Sequence, residues 1–205
     1  MKTKTEQKFD RIIKEAFHQT LKPIGFKKKA NNFYLPLQDL GQIINIQKSS
    51  YGSKDSISFT INTGIFIPEY FLAYYTFETE VPDYPTEPSC ALRQRIGKLR
   101  GENDKWYEVN EHSDVEELIH EMQENIANYI LPYFAKLASR NLVLSSLETL
   151  NLQFHTLTKL MLYGELKDFT KAKKEYEEVI KSTSNLRVLN DAKGLAIKYG
   201  IVKTS

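Results

Sequence analysis

Over residues 56–67 Ile57, Phe59, Ile61, Ile65 and Ile67 fall at alternate positions, with Ser58, Thr60, Asn62 and Gly64 between them. Successive side chains of a strand point to opposite faces, so this stretch buries one face and leaves the other polar. That habit belongs to antiparallel sheets, because parallel strands are covered on both sides and read as continuous apolar runs. The fold must therefore bring an apolar layer to the isoleucine side. It must also account for a polar sheet face.

The remaining elements follow from local pattern. Phe9, Ile12, Ile13, Ala16, Phe17 and Leu21 recur at helical spacing and predict an amphipathic helix over 6–22, stopped by Pro23 and Gly25. Residues 26–37 read as two short strands around a tight bend at Asn31-Asn32, and 42–48 as a strand. Further strands are expected over 91–99 and 105–109, joined by a turn at 101–104. Residues 68–89 hold four prolines and six aromatics, predicting a short helix after Pro68 and then irregular chain, with the rings packed over one sheet face. From 113 onward the pattern is helical. Ser113 and Glu116 have capping-box spacing, and Pro132 is expected to kink or divide the helix they begin. Later helices are expected over 143–152, 157–163, 169–182 and 186–199; residues 163–172 resemble one helical hairpin of a tetratricopeptide-type repeat without a second copy. The fold class is α+β: an antiparallel sheet of about five strands packed with helices, residues 1–140, then a small helical extension, 141–205, packed on it.

Charge is unevenly spread behind a net +2: residues 1–55 carry 11 Lys/Arg against 5 Asp/Glu, and residues 101–140 carry 3 against 9. The economical reading is that the two segments face each other in the fold. A single cysteine, Cys90, excludes an intrachain disulfide and fits a reducing, cytoplasmic setting. The start lacks a secretory pattern, and no apolar run is long enough to span a bilayer, so no membrane association is expected.

The chain has no G-x-S-x-G elbow, phosphate-binding P-loop, G-x-G-x-x-G turn or H-E-x-x-H helix. One cysteine cannot build a thiolate zinc site, and no cofactor is expected. His112, Glu116 and His120 are the nearest approach to a metal set, and they are equally ordinary on a solvated helix, so no metal site is assigned. Lys27-Lys28-Lys29 followed by Phe33 and Tyr34 invites a nucleic-acid reading through phosphate contacts and base stacking, although a lysine-bearing edge strand needs no ligand. The sharper expectation concerns the polar sheet face. With Ile44, Ile46, Ile57, Phe59, Ile61 and Leu92 turned inward, the opposite face carries Asn45, Gln47, Thr60, Asn62, Arg93 and Arg95, with Trp106 at its edge. Such a face suits carboxylate or phosphate groups.

An amphipathic N-terminal helix is followed in order by Leu21 to Lys29, Asn32-Phe33-Tyr34, Ile44 to Ser49, Phe59 to Ile65, Leu92 to Gly97 and Trp106-Tyr107. This succession, over about residues 6–137, resembles the bacterial domain-of-unknown-function family 4304. The resemblance implies a bacterial source and a compact α+β domain, and it supplies no catalytic residue. The expected function is a non-enzymatic binding module, immunity-like or regulatory, for a protein partner or a small anionic ligand. The competing class is an enzyme using Arg93, Arg95 and a carboxylate such as Glu108.

Overall fold

A computed structural model describes residues 2–53, 55–149 and 157–203. Helix α1 (Lys4–Ile12) is capped by Thr3, whose hydroxyl accepts from the Glu6 N–H while the Glu6 carboxylate accepts from the Thr3 N–H. It runs on through a π-helical stretch (Ile13–His18) into α2 (Gln19–Leu21) and a 3-10 turn (Lys22–Ile24). Gly25 ends the run with φ +98°, a conformation that costs glycine nothing.

The sheet then forms from β1 (Lys27–Lys29), β2 (Asn32–Pro36), β3 (Gly41–Lys48) and β4 (Ser56–Phe66), each antiparallel to the next. The β1–β2 bend lies at Ala30 and Asn31, one residue earlier than the sequence suggests, because Lys29 already pairs with Asn32 and Ala30 takes the positive φ.

On the far side of β4 sit two short strands, β5 (Leu92–Arg95) and β6 (Tyr107–Asn110). The sequence expects them to pair as a hairpin across 101–104, and that expectation fails. Arg95 lies opposite Asn62 and Tyr107 opposite Phe59, so both strands run along one edge of β4 in the same direction. They are two halves of one edge strand, interrupted by a detour over 96–106. The expected strand over 91–99 stops at Arg95 because the chain turns there into the one-turn helix α4 (Ile96–Leu99). Gly97 makes the detour possible: a Cβ on it would stand 1.9 Å from the Asn103 carbonyl oxygen.

The isoleucine face of the sheet holds the main core. Phe9 meets Phe59 edge-on at 5.4 Å, Phe17 stacks on Phe33, and Phe26 stacks on Phe134. Helix α5 (Val115–Asn125) packs beside α1 on this side, then passes through a π-helical stretch (Ile126–Ile130) into α6 (Leu131–Ala135). Pro132 does not divide the helix as expected: the chain stays helical through it, and the wider turn just before it relieves the clash a proline makes with the carbonyl four residues back. The N-cap of α5 is Asp114, not Ser113. Asp114 accepts from the Glu116 and Glu117 N–H groups, whereas the Ser113 hydroxyl accepts from the Asn110 N–H. The basic first helix does meet the acidic region: Arg11 pairs with Glu116, and the Lys8 ammonium donates to the carbonyls of Asn110, Glu111 and Ser113.

Helix α3 (Pro68–Tyr74) lies between the sheet and the C-terminal helices. Those are α7 (Arg140–Ser146), α8 (Thr158–Glu165), α9 (Phe169–Ser182) and α10 (Leu186–Lys198). The expected helix over 143–152 runs in part outside the described residues. Helices α8 and α9 form the anticipated hairpin, with Lys167 in the turn at φ +67°. One buried apolar cluster extends from Phe9 through the sheet to Leu160, Leu162 and Ala192. Among the described residues no helix is long and apolar enough to cross a membrane.

Candidate functional site

On the other face of the sheet the strand register aligns five polar residues in one row: Lys29, Asn32, Asn45, Asn62 and Arg95, one from each of β1 to β5. At the usual strand spacing of about 4.8 Å the row is roughly 19 Å long. Its side chains are joined by hydrogen bonds that run in one direction. Arg95 Nε donates to Asn62 Oδ1 at 3.2 Å. Asn62 Nδ2 donates to Gln47 Oε1 at 2.8 Å and to Asn45 Oδ1 at 3.2 Å. Asn45 Nδ2 then donates to Asn32 Oδ1 at 2.8 Å. A guanidinium has donors and no acceptor, so Arg95 fixes the orientation of Asn62, and Asn62 fixes the next amides. The carbonyl of Gln47 is consumed inside the network, leaving its amide N–H groups as what it presents outward.

The adjacent row, Lys27, Tyr34, Ile43, Gly64 and Arg93, is covered for most of its length. The segment over 68–90 lies on it as the sequence suggests. Phe71 packs on Phe66, Tyr75 on Phe71, and Tyr84 edge-on against Tyr34 with its hydroxyl donating to the Lys27 and Asn32 carbonyls. Gly64 lets this cover sit directly on the sheet, since a Cβ there would be 2.5 Å from Cys90 Sγ. The close approach carries a 3-10 turn (Glu87–Ser89) to the side of Arg93, and the buried Glu87 carboxylate accepts a two-pronged hydrogen bond from its guanidinium, 2.7 and 3.0 Å. Burial and the nearby Glu87 charge push the Cys90 thiol well above its ordinary range, against a weaker opposing effect of Arg93, and so disfavour the thiolate.

Where the cover ends and the polar row begins, a cavity of about 530 Å³ opens. Gln47, Asn62, Arg93 and Arg95 line it, so four of the seven sequence-predicted residues meet at one place. The other three do not. Asn45 lies behind Asn62 in the row. Thr60 is buried and donates to the Lys105 carbonyl at 2.7 Å, pinning the detour to β4. Trp106 stands outside, its indole N–H donating to Asp104 at 3.0 Å and its ring 5.7 Å from the Arg95 guanidinium. Arg95 donates to the same Asp104 carboxylate at 2.6 Å. Burial alone would raise the Asp104 pKa; the Trp106 and Arg95 hydrogen bonds outweigh it and hold the carboxyl below its ordinary range.

Sequence reasoning missed Tyr70, Tyr74, Tyr75, Glu87, Lys98 and Asp104, which also line the cavity, as does Thr158 of α8. The spacing of Tyr70 and Tyr74, four apart just after a helix-starting proline, was the available signal for a ring wall. The Tyr70 hydroxyl lies 3.4 Å from Thr158 Oγ1, so α8 closes the far side.

The other candidates are dispersed. Glu108 is on the open end of the face, accepting from Ser56 and Asn110, away from the arginines. Phe33 is fully buried against Phe17 and Tyr34 packs on Tyr84, which removes both rings from base stacking beside Lys27, Lys28 and Lys29. His112 lies next to Glu111, His120 next to Glu124, and Glu116 is engaged by Arg11. Among the described residues no group of three such side chains is placed to hold a metal ion.

A family model for a domain of unknown function, DUF4304, matches residues 17–136. No curated protein and no solved structure matches the chain.

Proposed function

We propose, for a chain that belongs to the domain-of-unknown-function family DUF4304, that it is a binding module for a small anionic ligand held on the polar face of its sheet. The observation that carries this reading is the cavity in which Arg93, Arg95 and Lys98 meet only two carboxylates, Glu87 and Asp104, leaving one positive charge in excess. Both carboxylates are already paired with arginines, and Gln47, whose carbonyl is taken by Asn62, presents its amide N–H groups. The site therefore asks for an acceptor-rich guest, and a volume of about 530 Å³ falls in the range of small-molecule sites. In this reading the protein works in a bacterial cytoplasm, where its one thiol stays reduced.

An enzyme reading has less support. It needs a carboxylate free to move a proton beside the arginines, and Glu108 lies elsewhere while the Glu87 and Asp104 carboxylates are already engaged by Arg93 and Arg95.

The test is isothermal titration of the purified protein at low salt with inorganic phosphate, methyl phosphate and citrate, beside Arg95→Gln checked for folding by circular dichroism. Binding by wild type, weakened about tenfold in the variant, is expected for a charge-assisted hydrogen bond to the guest. Absence of heat with all three anions would sink the reading.

A further inference from the structure

The Asp104 carboxylate occupies the place in the cavity where an anionic guest would find its strongest donors. Its Oδ2 atom accepts from Arg95 Nη1 at 2.6 Å and from the Trp106 indole N–H at 3.0 Å, and the Arg95 guanidinium lies 5.7 Å from the Trp106 ring. One oxygen between a guanidinium and an indole N–H is also how a ligand carboxylate or phosphate would be gripped. Asp104 is held there by these contacts and not by burial. Its side chain is 48% exposed, whereas that of Glu87, the partner of Arg93, is 7% exposed. Rotation about the Asp104 side-chain bonds alone carries the charge into solvent. The main chain on either side stays in place, because the Asn103 carbonyl rests against Gly97 and the Lys105 carbonyl accepts from Thr60 at 2.7 Å. Arg95 stays as well, its Nε tied to Asn62.

We infer that the anionic group of the guest binds where the Asp104 carboxylate now lies, bridging the Arg95 guanidinium and the Trp106 indole N–H, with Asp104 turned out to solvent. The inference rests on the anion-site reading above and adds two residues to it. Trp106, which stands outside the cavity lining, becomes a ligand donor through its N–H. Asp104 becomes the residue that sets selectivity, because a guest must outcompete a carboxylate already in place. Neutral acceptors gain too little from a guanidinium to do so. Among the described residues the Asp104 carboxylate is hydrogen-bonded by Arg95 and Trp106 alone. A guest phosphate or carboxylate has further oxygens for Lys98 and the Gln47 amide, both of which line the cavity.

The test is isothermal titration with methyl phosphate of wild type, Asp104→Ala and Asp104→Ala/Trp106→Phe, each checked for folding by circular dichroism. Asp104→Asn, which keeps the bulk and drops the charge, takes the place of Asp104→Ala should the smaller side chain unfold the detour. Asp104→Ala is expected to bind about tenfold more tightly than wild type, the competitor being gone. The double variant keeps an aromatic ring and loses the N–H, so its affinity should fall about tenfold below that of Asp104→Ala. A second readout is the indole N–H resonance, single because the chain has one tryptophan. In Asp104→Ala it should shift during the titration with the same midpoint as the heat. Unchanged affinity in Asp104→Ala would overturn the competition. Equal affinity of the single and double variants, or an indole resonance that does not respond, would overturn the place given to the anion while leaving the anion site standing. Failure of all three proteins to bind methyl phosphate would remove the anion site itself, and this inference with it.

Discussion

Arg93 and Arg95 are alike in sequence, two apart on one strand, and their surroundings divide their labour. Arg93 grips a carboxylate that is itself buried, since Glu87 is 5% exposed. Arg95 shares Asp104, a carboxylate near half exposure, with the Trp106 indole. Arg93 is itself half exposed, so what its removal strands is the buried Glu87 charge, whereas a pair exposed on both sides contributes little. Arg93→Ala is therefore expected to lower unfolding free energy by about 2–3 kcal/mol, and Arg95→Ala by less than about 1 kcal/mol. Urea denaturation of the two variants checks this, and comparable losses would contradict it. The faces of both arginines were legible from alternation around Leu92. Their carboxylate partners were not, because Glu87 is delivered by the close approach at Gly64 and Asp104 by the detour, and neither geometry leaves a periodic trace.

At the scale of elements, what followed from periodicity was sound: the long central strand, the helix after Pro68, the disturbance at Pro132 and the helices α9 and α10. What depended on pairing partners was not. The stretches over 91–99 and 105–109 look like two arms of a hairpin, yet β5 and β6 share a single edge of β4. The decision rests on Gly97, whose missing Cβ lets the Asn103 backbone lie against α4. A side chain there cannot be absorbed by a rotamer change, because the obstacle is main chain. Gly97→Ala is expected to cost about 2 kcal/mol through overpacking. It should also displace Asp104 and Trp106 enough to alter the Trp106 fluorescence, the chain's one tryptophan signal. A variant with wild-type stability and an unchanged emission spectrum would refute the role assigned to this contact. Cap assignment shows the same limit: Ser113 and Asp114 are both good caps, and the choice falls to Asp114 because the Ser113 hydroxyl is drawn to Asn110.

For the molecule as a whole, the α+β class was readable, while the link between the helical C-terminal region and the site was not. Thr158 belongs to α8, beyond the segment shared with the family, yet it touches Tyr70 at the back of the cavity. Global stability carries its own signature in alkali. Tyr107 is 4% exposed, and burial with the nearby Glu121 charge pushes its phenol up to about 12 against the weaker pull of Arg100 and Asn125. Burial raises Tyr34, Tyr70, Tyr75 and Tyr84 in the same direction. The unfolded chain releases these protons near pH 10, so their stabilisation is complete below that value and is lost as pH rises toward 12. Tyr107 alone accounts for about 3 kcal/mol of that loss. The urea midpoint is expected to fall steeply between about pH 10 and 12, and Tyr107→Phe should flatten the decline. A midpoint indifferent to pH over this range would count against burial of the phenol.

The interrupted edge strand has a consequence for how such a protein can diversify. The detour leaves β4 opposite Asn62 and rejoins it opposite Phe59, so its two ends are anchored about 10 Å apart on one strand. Lys98, Asp104 and Trp106 all ride on it, beyond Ile96, whose side chain is part of the core, and the amide row lies outside it. Lengthening a loop between fixed ends costs only a slowly growing entropy. The detour is thus an exchangeable cassette: its length and charge can be rewritten to suit a new guest while the frame that holds it stays as it is.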